Sequence, residues 1–208
     1  MTDPTPPDTE AERLENLWAG DFGVIYTRRN EREWRERSSF WKGFLERYPL
    51  QRILEVGCNS GMNLEWILQA VPAREVYGVD INEPALVSLR KRFPQANALW
   101  SPARELPFRD GWFDLVFCAG VLIHQPETSL RTVMKEIVRC SRRYVLCMEY
   151  FSEETVAIPY RGQEGALFKR NYGRLYQEDF PALRLLEQGF LSREQGWDNV
   201  TFWMFEKT

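Results

Sequence analysis

The chain has 208 residues, a formal net charge of -3 and a sequence pI near 5.5. Its 44% hydrophobic content is enough for the core of one domain, and the acidic balance argues against a general nucleic-acid binder, which needs a basic face. The four cysteines have no paired short spacing and there is a single histidine, so we expect reduced thiols and no metal site.

The N-terminal segment is polar and rich in proline, so we expect residues 1–14 to be a disordered tail ahead of a single domain at 15–208. It contains no apolar stretch typical of a secretion signal, and no run in the chain is long enough to span a membrane. These features predict a cytoplasmic protein. The aromatic segment 15–48 is expected to form an N-terminal cap, with helical spacing of apolar residues from Glu31 to Tyr48.

Strands and helices alternate after this cap. The pattern predicts strands at RILEVG, EVYGVD, ANALW, WFDLVFCAG and RYVLCMEY, with helices after the first, second and fourth. Two final strands, LRLLEQGFL and NVTFWMFEK, are expected to be antiparallel neighbours. This order predicts an α/β fold with a mostly parallel sheet, an antiparallel C-terminal strand and helices on both faces. Ligands of such sheets bind beyond the carboxyl ends of the strands.

The turn GCNSG, residues 57–61, follows the first strand and is the expected ligand site. A nucleoside triphosphate would require Gly-Lys-Ser/Thr, but Met62 follows Gly61. A dinucleotide would require a middle glycine where Asn59 stands. S-adenosylmethionine (SAM) has no phosphate and needs only a tight turn with backbone donors. The helix after Gly61 offers its free N–H groups to the carboxylate of SAM.

The order Glu55-x-Gly57-x-x-x-Gly61 resembles motif I of the class I SAM-dependent methyltransferases. The resemblance implies a Rossmann-like sheet, SAM as cofactor and S-adenosylhomocysteine as product. Asp80, at the end of the second strand, is expected to accept hydrogen bonds from the ribose hydroxyls. Other residues expected at the cofactor are Tyr26, Arg29, Cys58, Asn59, Asn63, Ile81, Ser101, Pro102, Ala103 and Cys118.

A closer resemblance runs from about Trp18 to the C terminus. The segments LWAGDFGVIYTRRN, GCNSGMNL, GVLIHQ, YVLCMEYF, IPYRGQEGALFKRNY and VTFWMFEK resemble the pseudaminic acid biosynthesis-associated methylase family. That family is associated with making nonulosonic acid sugars, which decorate bacterial flagellin and surface glycans. The resemblance implies a small acidic sugar or sugar-nucleotide as the methyl acceptor.

Methyl transfer from SAM requires alignment of the acceptor and, in some cases, removal of a proton. His124, at the mouth of the fourth strand, is the candidate general base, since its ordinary pKa lies near neutrality. The alternative is a packed histidine bonded to backbone. Trp18 and Tyr150 are candidate acceptor contacts. The alternative for Trp18 is an aromatic clasp that holds the N-terminal segment on the core, and the alternative for Tyr150 is packing at the edge of the core.

The acceptor loop, residues 151–176, breaks the alternation of strands and helices and is expected to act as a lid. Between Arg161 and Arg174 it has four basic residues and one acid, which favours an anionic acceptor over a merely solvated loop. The residues expected to contact the acceptor here are Tyr160, Arg161, Lys169 and Arg170.

The leading interpretation is a SAM-dependent methyltransferase that acts on a small anionic acceptor. We expect it to bind neither nucleic acid nor a membrane, and to be a monomer or homodimer. Two alternatives stay open. One is a methyltransferase for another small carboxylate- or phosphate-bearing metabolite, and the other is a non-catalytic SAM-binding partner in glycan assembly.

Overall fold

The computed structural model describes residues 9–32, 35–70 and 75–208. Three helices precede the sheet: α1 (Glu10–Ala19), α2 (Asp21–Arg32) and α3 (Ser38–Arg47). Residues 10–14, expected to be disordered, form the start of α1. A capping box explains this helix start, because Thr9 Oγ1 accepts from the backbone N–H of Glu12 and the Glu12 carboxylate accepts from the backbone N–H of Thr9, both at 3.2 Å.

The rest of the expected tail, residues 1–8, lies outside the described residues. The helix expected over 31–48 is shorter, since α2 reaches Arg32 and α3 begins only at Ser38. Residues 33–34, between them, also lie outside the described residues. The aromatic segment ahead of residue 31 is helical too, as the end of α1 and most of α2. Gly20 ends α1 and separates the two helices, whereas Gly23 lies within α2.

Seven strands form one sheet in the order β3-β2-β1-β4-β5-β9-β8. They are β1 (Arg52–Val56), β2 (Glu75–Asp80), β3 (Asn97–Trp100), β4 (Phe113–Ala119), β5 (Ser141–Glu149), β8 (Leu183–Leu191) and β9 (Val200–Lys207). Strands β1 to β5 are parallel, and β9 is antiparallel to both of its neighbours. The predicted mostly parallel sheet with an antiparallel C-terminal strand is confirmed.

Helices cover both faces of this sheet. Helices α4 (Met62–Ala70) and α5 (Glu83–Arg92) pack with α3 in one buried cluster, whereas α6 (Glu127–Cys140) and α7 (Tyr172–Asp179) pack in the other. Successive residues of β5 alternate between the two clusters, as the period of a strand requires. Burial on both faces explains why the central strands read as continuous apolar runs.

The acceptor loop has more regular structure than its sequence indicates. It contains a two-stranded ribbon, β6 (Val156–Ala157) and β7 (Phe168–Lys169), and then the first part of α7. Asn171 caps α7 by accepting a hydrogen bond from the backbone N–H of Arg174 at 3.0 Å. Among the residues that the structure describes, no helix has the length and apolar character needed to cross a bilayer.

Candidate functional site

A cavity of about 590 Å³ opens at the carboxyl ends of β1, β2, β4 and β5, where the fold predicts a ligand. The N-terminal cap and the acceptor loop contribute its other walls. Most of the residues expected at the site line this cavity. They are Trp18, Tyr26, Arg29, Glu55, Gly57, Cys58, Asn59, Asn63, Asp80, Ile81, Ser101, Ala103, His124, Tyr150, Tyr160 and Arg161.

The glycine turn, residues 57–61, follows β1 and has an unusual backbone. Gly57, Asn59 and Gly61 all have positive φ, at 73°, 47° and 88°. The N–H groups of Gly57 and Cys58 both donate to the carbonyl of Val79, at 2.8 and 3.0 Å, which fixes the turn to β2. A side chain at Gly57 would meet Val121, because an ideal Cβ there would lie 2.3 Å from Val121 Cγ2. Both the positive φ and the contact with Val121 therefore require glycine at position 57.

Asp80 closes the glycine turn from the end of β2. Its Oδ2 accepts from the backbone N–H of Asn59 and its Oδ1 from that of Asn82, both at 2.8 Å. Burial raises the pKa of Asp80, although these backbone donors oppose the shift. Each carboxylate oxygen retains a second lone pair, so Asp80 can still accept hydrogen bonds from a ligand in the cavity.

A chain of polar side chains crosses the floor of the cavity. Arg37 donates to Asn63 Oδ1 at 2.8 Å, and Asn63 Nδ2 donates to Glu55 Oε1 at 2.6 Å. Glu55 Oε2 has no partner among the described residues. Burial raises the pKa of Glu55 to about 8, so its carboxyl group is largely protonated at pH 7 when the cavity is empty. Burial lowers the pKa of Arg37 to about 10, which leaves this side chain charged.

The N-terminal cap is fastened to this end of the cavity by two side-chain amides. Asn59 Nδ2 donates to Thr27 Oγ1 at 2.8 Å, and Asn82 Nδ2 donates to the carbonyl of Trp18 at 2.8 Å. These bonds place Trp18 and Tyr26 over the cavity. The wall past β3 is different, since the Ser101 hydroxyl donates to the carbonyl of Glu105 at 2.8 Å and is already used within the fold.

His124 lies in a short 3-10 turn, Leu122–His124, between β4 and α6. The histidine is 7% exposed, and its ring packs on Trp18 with the centroids 4.3 Å apart. Burial lowers the pKa of His124 to about 4, so the ring is neutral at pH 7 but is a weaker base than its ordinary pKa suggested. Nδ1 lies 2.6 Å from the carbonyl oxygen of Ala166, in the acceptor loop.

The far end of the cavity combines tyrosines with arginines. Tyr26, Tyr150 and Tyr160 line it together with Asp198, which forms an ion pair with Arg35 at 2.6 Å. Burial is the main cause that raises the pKa of Tyr26, to about 12, and of Tyr150. The phenols of Tyr26 and Tyr150 therefore keep their protons at neutral pH. Further side chains here are Arg29, Arg37, Arg161 and Arg193.

Five residues expected to contact a ligand do not line the cavity. Gly61 faces Leu89 of α5 and Phe93, which follows that helix, and Pro102 lies between two residues that do line the cavity. Lys169 points at the ring of Tyr150, with Nζ 5.9 Å from the centroid. The other two are Cys118 and Arg170, whose placement in the interior corrects the sequence analysis.

Cys118 is fully buried in β4, directly opposite Cys147 of β5. Its Sγ lies within 4.8 Å of the Sγ of Cys147 and of a carboxylate oxygen of Glu149. Its strand position points it into the core rather than at the cofactor. Arg170 is only 2% exposed and donates to the carbonyl of Gln125 at 3.1 Å. It supports the loop from within, so the expected contact with the acceptor is wrong.

Five further residues line the cavity without having been expected there from the sequence. Arg35 and Arg37 come from the link between α2 and α3, and Arg193, Trp197 and Asp198 from the link between β8 and β9. Arg37 joins the two links, because its Nε donates to the carbonyl of Gly196 at 2.9 Å and its guanidinium lies 4.1 Å from the centroid of Trp197. Neither link has a recognisable motif, and only the fold brings them together.

Comparison with known proteins agrees with this architecture. Residues 53–143 match a family model described as a methyltransferase domain. A probable S-adenosylmethionine-dependent methyltransferase of Mycobacterium tuberculosis is 29% identical over 120 residues, which are 58% of this chain and 36% of that protein. A trans-aconitate 2-methyltransferase of Variovorax paradoxus is 31% identical over 101 residues, or 44% of this chain and 37% of that protein. The chain thus spans about a third of the length of these curated relatives.

Two solved structures cover nearly the whole chain. The 1,6-didemethyltoxoflavin-N1-methyltransferase of Burkholderia thailandensis, with bound S-adenosylhomocysteine, superposes with a TM-score of 0.74 and 18% identity over 98% of this chain and 93% of that one. The magnesium protoporphyrin IX methyltransferase of Synechocystis, also with bound S-adenosylhomocysteine, gives a TM-score of 0.71 and 13% identity over 94% and 99%. The chain therefore has the Rossmann-like fold of these methyltransferases, and its residues 53–143 match a methyltransferase domain.

Proposed function

We propose that this protein transfers the methyl group of SAM to a small anionic acceptor, and that the acceptor is a nonulosonic acid sugar or sugar-nucleotide of the pseudaminic type. The single observation that carries the proposal is one continuous cavity with two chemically different ends. One end has the glycine turn and Asp80, and the other has tyrosines and arginines. A volume of about 590 Å³ falls in the range of small-molecule sites.

The first end suits SAM. The glycine turn allows the protein backbone to approach the ligand closely. Asp80 offers acceptor lone pairs for the two ribose hydroxyls. Arg37 is positioned for the carboxylate of the methionine part of SAM, beside Asn63. The ammonium and sulfonium of SAM would lie near Glu55. A neighbouring cation favours the ionised form of this buried carboxyl group.

The second end suits an anion. Arg161 and Arg193 line the cavity and form no ion pair with any carboxylate of the described residues. The overall charge of the chain is -3, so this local excess of cations is not a property of the whole surface. Flat rings and phenol hydroxyls beside a cation are suited to a sugar ring that carries a carboxylate. The trans-aconitate 2-methyltransferase, a relative named for a small carboxylic acid, is consistent with such an acceptor.

Arg161 provides a specific test because its backbone is strained. Arg161 and Gly162 both have positive φ, at 51° and 81°, within the tight turn that pairs Tyr160 with Gln163. Such turns favour Asn-Gly, and an arginine there costs about 1 kcal/mol. We expect Arg161→Asn to raise the acceptor KM by about 10-fold or more, because a charge-assisted bond is lost, while thermal stability is unchanged or higher.

Arg174→Asn is the matched control for this change, since Arg174 lies in the same loop with a side chain that is 48% exposed and does not line the cavity. The control should leave both the KM and the kcat near their wild-type values. If Arg161→Asn retains the wild-type KM for the true acceptor, or if the true acceptor carries no negative charge, Arg161 does not read an anion.

Glu55 gives a prediction about protons. SAM brings a net positive charge into the cavity, which lowers the pKa of Glu55 from about 8, so we expect SAM binding at pH 7 to release a proton. Because binding releases a proton, the affinity for SAM should rise with pH up to about 8 and then level off. Calorimetry in buffers of different ionisation enthalpy measures this release, and Glu55→Gln should abolish it. An equal proton count in wild type and Glu55→Gln would exclude Glu55 as the source.

The alternatives make different predictions in one assay. Purified protein, SAM with a labelled methyl group and a set of sugar acids should yield labelled product if the proposal holds. Transfer only to other small carboxylates or phosphates would support the broader metabolite alternative. Binding of SAM with no transfer to any acid, when the partner proteins of glycan assembly are present, would support the non-catalytic alternative. The cytoplasmic location and the monomer or homodimer state stay predictions.

A further inference from the structure

The histidine turn, Leu122–His124, is held at its start by a buried carboxylate. Glu149, at the end of β5, is fully buried, and its Oε1 accepts from the backbone N–H groups of Val121 and Leu122 at 2.9 and 2.8 Å. These groups belong to the start of a helical turn, where N–H groups lack partners within the helix. Glu149 does not line the cavity, so its role is exerted through the turn.

The opposite end of the same turn is held by a buried cation. Arg170 donates to the carbonyl of Gln125, which follows His124 directly, and lies 3.8 Å from the carboxylate of Glu127. The guanidinium also lies 4.4 Å from the centroid of the Phe168 ring. Glu149 accepts from N–H groups at the start of the turn and Arg170 donates to a carbonyl at its end, so each supplies hydrogen bonds that the short turn cannot make within itself. Burial of an arginine at 2% exposure costs free energy unless the guanidinium has partners, and here the partners are the Gln125 carbonyl and the Glu127 carboxylate.

The acceptor loop also fixes the imidazole itself. A carbonyl oxygen can only accept, so the contact of 2.6 Å with Ala166 requires a proton on Nδ1. The neutral ring then has an unprotonated Nε2. Ala166 and Arg170 belong to the same loop and lie on either side of β7. One segment therefore fixes both the position of the histidine turn, through Arg170, and the tautomer of the ring, through Ala166.

We propose that Glu149 and Arg170 are positioning residues that hold the histidine turn from its two ends, so that His124, with its proton on Nδ1 bonded to Ala166, presents Nε2 as a hydrogen-bond acceptor to the group that is methylated. The proposal rests on the proposed function for the role of Nε2. In this proposal the buried guanidinium of Arg170 holds the histidine turn in place and does not contact the acceptor. The reacting group must then be able to donate a hydrogen bond, as a hydroxyl or an amine does.

The single histidine makes the arrangement directly observable. In protein labelled with ¹⁵N-histidine, two-bond ¹H–¹⁵N correlations report which ring nitrogen carries the proton. We expect one tautomer, protonated on Nδ1, in the wild type. Arg170→Met should produce a mixture of tautomers, whereas Arg174→Met, an exposed arginine of the same loop, should not. This measurement requires neither SAM nor acceptor, so its result is independent of the proposed function.

Kinetics supply the second readout. Arg170→Met and Glu149→Gln should lower kcat by up to about 100-fold, because small misplacements of a reacting group have effects of this size. SAM affinity should stay within about threefold of the wild type, since neither residue lines the cavity. Glu149→Gln retains an oxygen for the N–H groups, so it keeps the test available if Arg170→Met fails to fold. Folded variants with the wild-type tautomer and kcat, or a wild-type ring protonated on Nε2, would overturn the proposal.

Discussion

Replacement of Asp80 by alanine is expected to weaken SAM binding by about 1–3 kcal/mol, roughly 5- to 150-fold, because hydrogen bonds to a charged acceptor have this value. In the structure both oxygens of Asp80 already hold backbone N–H groups, those of Asn59 and Asn82. The substitution therefore removes the proposed ribose contacts and also loosens the glycine turn. Calorimetry with SAM and with S-adenosylhomocysteine should give the same loss for both, since they share the ribose.

Asp80→Asn separates the two contributions. The asparagine keeps one acceptor oxygen but places an amide nitrogen against a backbone N–H. We therefore expect its affinity for SAM to lie between those of the wild type and Asp80→Ala. Glu83→Ala is the matched control, because Glu83 is an acid just beyond β2 that pairs with Arg90 and does not line the cavity. Unchanged affinity in a folded Asp80→Ala protein would remove Asp80 from the ribose site.

Alanine at Gly57 is expected to destabilise the protein by about 2–5 kcal/mol. About 1–2 kcal/mol comes from an L-residue in the left-handed region, where φ is 73°, and about 1–3 kcal/mol from overpacking. The overpacking has one cause, since the new Cβ would lie 2.3 Å from Val121 Cγ2. Denaturant unfolding measures the loss, and SAM affinity should fall in parallel because the turn must move.

Two further variants divide this loss into its parts. Gly162→Ala has a similar φ of 81° but nothing within 4 Å of the new Cβ, so it should show only the backbone contribution. The double variant Gly57→Ala with Val121→Ala removes the clash and should recover much of the difference. A Gly57→Ala protein as stable as Gly162→Ala would show that the glycine turn does not pack on the histidine turn as described.

The sheet could be predicted because each of its strands has a strong local signal. Strands β1 and β4 are apolar runs followed by glycine, β5 has an apolar run from Tyr144 to Met148, and α6 has a clear apolar stripe. The N-terminal helices were harder to identify, since the start of α1 depends on a capping box within a polar segment rather than on apolar periodicity. Local composition there favours disorder, and the contacts of Leu14 and Trp18 with the rest of the fold decide otherwise.

The cofactor end of the site was predictable for the same reason, because it follows two strands directly. The acceptor end was not. Charge in the sequence identifies a basic loop but does not tell which side chains point inward, so Arg161 and Arg170 read alike although one lines the cavity and the other is buried. Arg37 and Asp198 come from separate links and meet only in the folded chain, through Trp197 and Arg35.

The most direct test of the central claim is methyl transfer by the whole protein to unknown acids. A small-molecule extract, separated into anionic and neutral pools, is incubated with SAM that carries a deuterated methyl group, and mass spectrometry follows the label. The account predicts one labelled methyl on a compound of the anionic pool with the wild type, and a slower transfer with Asp80→Ala when SAM is below the concentration that saturates the wild type. Label confined to the neutral pool, or to RNA added in parallel, would contradict it.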